Sequence, residues 1–115
     1  MTTDTDRELL ELAAKAEGIE GAYESWTGQG FKDGIRQILN GAKCQRPWNP
    51  LTDDGDALRL AVKLGISVGP DYDEGAAVAF ARDGREFREP HDSDPYAATR
   101  RAIVACAAEI WRAMP

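Results

Sequence analysis

The chain has 115 residues, 43% of them apolar and 30% charged, with 20 acidic against 14 basic side chains and a net charge of −6. That size and composition describe one folded domain spanning 1–115 and argue against extended disorder. An acidic chain is poorly suited to displacing counterions from phosphates, so nucleic acid is an unfavoured partner. No apolar run reaches the ~18–20 residues that cross a bilayer.

The opening Met1-Thr2-Thr3-Asp4-Thr5-Asp6 is polar and acidic, the opposite of a signal or transit peptide, so the expected location is the cytosol. A helix follows from Asp6 to Glu17. Thr5 is its N-cap and Glu8, three residues on, completes a capping box. Leu9, Leu10, Leu12, Ala13 and Ala16 supply an apolar stripe, Gly18 stops the helix, and Ile19 folds back on its last turn.

Ala22 to Trp26 reads as a strand and Thr27-Gly28-Gln29-Gly30 as a turn. Ile35 to Leu39 fits either a second strand or a short helical turn. Residues 27–47 are the least legible stretch. A second helix begins after Trp48-Asn49-Pro50-Leu51, capped by Thr52 or Asp53, with Asp53, Asp54 and Asp56 at the positive end of its dipole. Leu58, Ala61, Val62 and Gly65 form its expected inner side, widened by Leu60 and Leu64.

Ile66-Ser67-Val68 starts a strand that gives way to a polar loop from Gly69 to Gly75. Ala76–Arg82 and Arg85–Glu89 flank Asp83-Gly84, a hairpin signal. A two-residue turn there would pair Phe80 with Phe87, on the face of Val78. Ala77, Ala79 and Ala81 would form the other face, small enough for a helix to approach, so that both faces are covered. The last helix is capped by Asp94 with Pro95 at its first position, and Tyr96, Ile103, Val104, Ala107, Ile110, Trp111 and Met114 recur at helical spacing. The expected fold is α+β, a three-layer α/β/α sandwich of three helices and one mainly antiparallel sheet of about four strands.

Trp48 to Ile66, reading WNPLTDDGDALRLAVKLGI, resembles the signature of a family of small phage and prophage proteins, the phage ABA sandwich domain. The opening RELLELAAKAEGI and the late DPYAATRRAIV are similar to the same family. The resemblance implies the α/β/α layering and a phage or prophage origin, and it brings no catalytic residues or ligand.

Charge is unevenly spread. Residues 1–31 hold seven acids and two bases, 32–52 one acid and four bases, 53–74 six acids and two bases, and 75–115 six of each. The basic Lys32, Arg36, Lys43 and Arg46 read as a solvated face. The candidate ligand or partner residues are Trp48, Asn49, Asp53, Asp54 and Asp56, then Asp71, Asp73 and Glu74. The first acids could hold Mg²⁺ or Ca²⁺, but capping and dipole roles explain them better and no EF-hand spacing is present, so no metal is assigned. Asp71-Tyr72-Asp73-Glu74 reads as a solvated turn or as a contact surface for a basic partner.

His91 stands alone before a helix cap, no serine lies in a nucleophile elbow, and no GxGxxG or P-loop occurs, so no catalytic residue or cofactor is assigned. Cys44 and Cys106 lack metal or redox spacing and read as two reduced thiols, with Cys106 buried. Arg100, Arg101 and Arg112 flank the last apolar stripe as a soluble edge. The expected role is a non-enzymatic accessory protein that binds a macromolecule, a protein with a basic surface. The alternative is a ligand- or metal-binding domain or enzyme with a pocket near Trp48–Asp56. An uncovered sheet edge or face would allow a weak homodimer.

Overall fold

A computed structural model describes residues 5–24, 33–44 and 46–115. Helix α1 runs from Asp6 to Glu17, and Thr5 caps it by accepting the Glu8 N–H at 3.1 Å. The Ile19 N–H returns to the Ala14 carbonyl at 2.8 Å, and Leu9, Leu10, Ala13 and Ala14 are buried. Local capping chemistry thus fixes both ends of this element as expected.

Strand β1, Gly21–Glu24, pairs antiparallel with β2, Gly34–Leu39, placing Tyr23 opposite Ile35. The expected end of β1 at Ser25 and Trp26, and the turn at 27–30, lie outside the described residues. Residues 35–39 take the strand alternative. Asn40 and Gly41, both at positive φ (54° and 81°), form a two-residue turn into β3, Ala42–Lys43, a strand the sequence reading lacks. Paired positive φ values mark the turn type whose twist matches a hairpin, and Asn-Gly is its favoured dipeptide.

Helix α2 runs from Asp54 to Leu64, with Asp53 as the cap accepting the Asp56 N–H at 2.8 Å. Its inner face keeps the expected Leu60 and Ala61 and loses the expected Leu58 and Val62. Asp56, Ala57, Leu60 and Ala61 are buried, whereas Leu58 and Val62 are 63% and 74% exposed. Each residue turns a helix by about 100°, so docking through Asp56 and Leu60 rotates Leu58 and Val62 outward.

The second sheet has the order β4-β5-β6: Ser67–Asp71, Ala76–Phe80 and Glu86–Pro90, all antiparallel. Strand β4 continues through Gly69, Pro70 and Asp71, which the sequence reading gives to a loop. Pro70 is tolerable there because β4 is an edge strand. The hairpin register also differs. Ala79, not Phe80, faces Phe87, and Phe80 faces Glu86. Ala81 donates to the Arg85 carbonyl and accepts from Gly84, each at 2.9 Å, closing a three-residue loop with Gly84 at φ 92°.

A one-residue slip exchanges the two faces of a strand. Phe87 therefore joins Ala77, Ala79 and Ala81 on the side packed against α3, while Phe80 is 40% exposed on the other. One face of this sheet is covered by a helix and the other is open at Phe80.

Helix α3, Pro95–Ala113, is capped by Asp94, which accepts the Tyr96 and Ala97 N–H groups at 3.1 Å. It packs on α1, α2, β5 and β6 through Ala98, Ala102, Ile103, Val104, Cys106, Ala107 and Ala108. Tyr96, Trp111 and Met114, placed on the stripe by their spacing, are exposed. Arg100 donates to the Leu51 carbonyl at 2.8 Å and to Asp54 at 2.7 Å, joining α3 to the start of α2; Arg101 pairs with Asp6, and Arg112 with Glu109.

The fold is thus α+β, and the described residues form three helices and antiparallel strands in two sheets of three, β1-β2-β3 and β4-β5-β6, rather than in one sheet of about four. Helix α1 contacts the first sheet and α3 the second. Both cysteines are free; Cys106 is fully buried, which pushes its thiol up to about 11. Among the described residues no helix is long and apolar enough to cross a membrane.

Candidate functional site

The segment leading into α2 is held against β2 by backbone chemistry. Ile35 and Trp48 exchange two N–H···O bonds of 2.9 Å, and a Cβ on Gly34 would come within 2.7 Å of the Trp48 carbonyl, so glycine permits the approach. Asn49 is a buried hub. Its amide nitrogen donates to the Asp33 carbonyl at 2.6 Å, its side-chain oxygen accepts the Leu51 N–H at 2.9 Å, and its own N–H donates to Asp56 Oδ2 at 2.9 Å. Asp56 is 4% exposed, and Arg59 Nη2 donates to its Oδ1 at 2.7 Å. Both oxygens of this buried carboxylate are therefore engaged, as burial of a charge requires.

These contacts wall a cleft of about 410 Å³ bounded by Glu17, Ile19, Gln37, Cys44, Arg46, Pro47, Trp48, Asp56 and Arg59. Three elements meet there: the end of α1, the paired β2–β3 strands and the first turns of α2. Glu17 Oε2 is buried in this wall without a hydrogen-bond partner among the described residues. Burial pushes the Glu17 carboxyl above its ordinary range and Asp56 adds to the rise, while Arg59 and Lys63 oppose it.

The structure divides the expected site residues. Trp48 and Asp56 line the cleft and Asn49 anchors its wall, with the Trp48 side chain mostly buried as packing. Asp53 is the helix cap and lies 4.0 Å from Arg59, and Asp54 turns to Arg100 on α3. The sequence reading missed Glu17. A signal was present, because an acid in the last turn of a helix opposes the dipole and needs another reason to be there.

Asp71, Asp73 and Glu74 sit elsewhere, around the β4–β5 turn. Arg88 donates to Asp71 at 3.0 Å, which together with the Glu74 N–H holds the Asp71 carboxyl below its usual range. A second hollow of about 520 Å³ opens here on the uncovered sheet face, lined by Gly69, Pro70, Asp71, Tyr72, Asp73, Val78, Phe80 and Arg88. Tyr72 is 83% exposed at its edge, and its ring meets His91 edge-on with centroids 6.4 Å apart. Exposed aromatics beside carboxylates combine apolar area with negative charge.

Among the described residues no group of three or more His, Cys, Asp or Glu side chains is placed to hold a metal ion. His91 is half-buried, its Nε2 without a hydrogen-bond partner among the described residues, beside Asp92, Ser93 and Asp94 in a smaller hollow of about 220 Å³. No family model, curated protein or solved structure matches this chain.

Proposed function

We propose that the chain is a non-enzymatic binding protein that docks a protein partner with a basic surface on the open face of its second sheet. The observation that carries this reading is the hollow where exposed Tyr72 and Phe80 adjoin Asp73 and the Asp71–Arg88 pair. Aromatic anchors inside a charged rim are the usual anatomy of a protein-binding patch, and the rim charge steers an oppositely charged partner. The likeness to phage ABA sandwich proteins adds a phage or prophage origin and work in the bacterial cytosol. The three-layer α/β/α arrangement belongs to the same proposal, with α3 as one outer layer and the docked partner covering the opposite face of the sheet. A weak homodimer through that face is the competing use of the surface.

The test is affinity capture of the tagged protein from host lysate at low and high salt, beside a Tyr72→Ser/Phe80→Ser variant. One stoichiometric partner, lost at high salt and lost by the variant, is the expected result. An empty capture by the unmodified protein, or equal capture by the variant, overturns the reading.

A second reading is favoured by a separate observation, the unpartnered Glu17 oxygen in the cleft beside Trp48–Asp56. In it the cleft binds a ligand group that donates hydrogen bonds. Thermal shift with small-molecule panels tests it, because a ligand of the native state raises the melting temperature by mass action.

A further inference from the structure

The cleft between α1, β2 and α2 can be assigned a ligand chemistry, and the assignment rests on the second reading above. Its volume of about 410 Å³ has room for an extended side chain rather than a single ion. Its polar groups are unequal. Both Asp56 oxygens are taken, by the Asn49 N–H and by Arg59, and Arg59 also lies 4.0 Å from Asp53. Glu17 Oε2 is an acceptor, buried and without a donor among the described residues. What Glu17 lacks among the described residues is therefore a hydrogen-bond donor, since Arg59 is spent on Asp56, and to a carboxylate a cationic donor bonds more strongly than a neutral one.

The remaining walls narrow the class. Ile19, Pro47 and Trp48 give apolar surface next to Glu17. A planar guanidinium is more weakly hydrated than an ammonium and tolerates such walls while presenting its fork to a carboxylate. We propose that the cleft binds a guanidinium group, seated on Glu17 between Ile19 and the Pro47–Trp48 wall. The group has two sources: free arginine or a related small molecule, or an arginine side chain of a protein partner. Arg46, exposed at the rim, separates them, because it can meet the carboxylate of free arginine and would repel a cationic partner surface.

The experiment is titration of the intact protein, followed by amide chemical shifts at Glu17, Gln37, Asp56 and Arg59. The probes are L-arginine, agmatine, N-acetyl-L-arginine amide, L-lysine and L-citrulline. The expected result is saturable binding of the three guanidinium probes at the cleft, with citrulline and lysine at least about tenfold weaker. Glu17→Gln should weaken the guanidinium probes by a similar factor while its other amide signals stay in place. Glu17→Asp, which keeps the charge but withdraws it, should fall between.

Tighter binding of free arginine than of its blocked amide assigns a free small molecule, and equal or tighter binding of the blocked amide assigns an arginine of a partner. Equal binding of citrulline or lysine, unchanged binding by Glu17→Gln, or no cleft shift at millimolar probe overturns the proposal. Failure here is distinguishable from failure of the ligand-site reading, since a chemically different ligand from the thermal-shift panels would move the same amides.

Discussion

Asn40-Gly41 and Asp83-Gly84 each turn a hairpin, and they do not turn alike. Asn40-Gly41 makes a two-residue turn, with both residues at positive φ and Leu39 paired to Ala42. Asp83-Gly84 looks equivalent in sequence, yet the loop takes in Arg82, and Ala81 pairs with Arg85. The Asp83 carboxylate accepts the Arg85 N–H at 3.1 Å and Arg85 Nε at 2.9 Å, which favours the wider loop, and only Gly84 then needs positive φ. The difference teaches that a turn dipeptide locates a hairpin without fixing its register. Register decides which face of β5 meets α3.

The strongest way to break this comparison is to exchange the roles of the two phenylalanines. Phe87 packs against the core cluster and Phe80 is 40% exposed. Phe87→Ala should cost about 2–3 kcal/mol in denaturant unfolding, below the full core value because the ring is only partly buried. Phe80→Ala should cost under about 1 kcal/mol. Equal losses would mean that both rings share a face, as a two-residue turn at Asp83-Gly84 requires.

Next in size is the effect at the turns themselves. Gly84→Ala should cost about 1–2 kcal/mol, since a Cβ at left-handed φ is strained. Gly41 is equally left-handed at φ 81°, but it closes a hairpin whose second strand has two residues. Gly41→Ala should therefore show mainly as lost exchange protection of the β3 amides, with under about 1 kcal/mol of global loss. Comparable global losses would show that β3 is more than a frayable edge.

A smaller test addresses the cap of α2. Asp53→Ala removes the acceptor for the Asp56 N–H and should cost about 1 kcal/mol, close to the cost of Thr5→Ala at the start of α1. The two helices match in their caps and part in their faces. Thr5, Asp53 and Asp94 mark helix starts through bonds that span only a few residues, so those starts were legible. The inner face of α2 was not, because Leu58 and Leu60 are equally apolar as letters. Asp56, anchored on the Asn49 N–H, helps to choose between them.

The candidate site follows the same rule. Trp48 and Asp56 were legible as members, being local to one segment. Glu17, Gln37 and Arg59 arrive from elements that only tertiary packing brings together. The acceptor left open in the cleft has no trace in the sequence beyond the placement of Glu17 at the wrong end of the α1 dipole.

The smallest expected effect compares one half-buried acid beside each sheet. Glu17 borders the β2–β3 strands and Glu89 lies on β6, and burial raises the carboxyl pKa of both. A carboxyl whose pKa is higher folded than unfolded binds its proton more tightly in the native state. Its contribution is present below the unfolded pKa and lost as pH rises through the folded value. At neutral pH each ionised group therefore weighs against folding. Glu17→Gln and Glu89→Gln should each raise the melting temperature slightly at pH 7, and the gain should vanish in mild acid. At Glu17 Asp56 adds to the rise while Arg59 and Lys63 oppose it, and at Glu89 Arg101 opposes it, so each variant is read against its own pH profile. Melting curves of both variants from pH 4 to 7, within the range where carboxyls titrate, decide the point. No gain for Glu17→Gln at pH 7 would remove the electrostatic case for an open acceptor in the cleft.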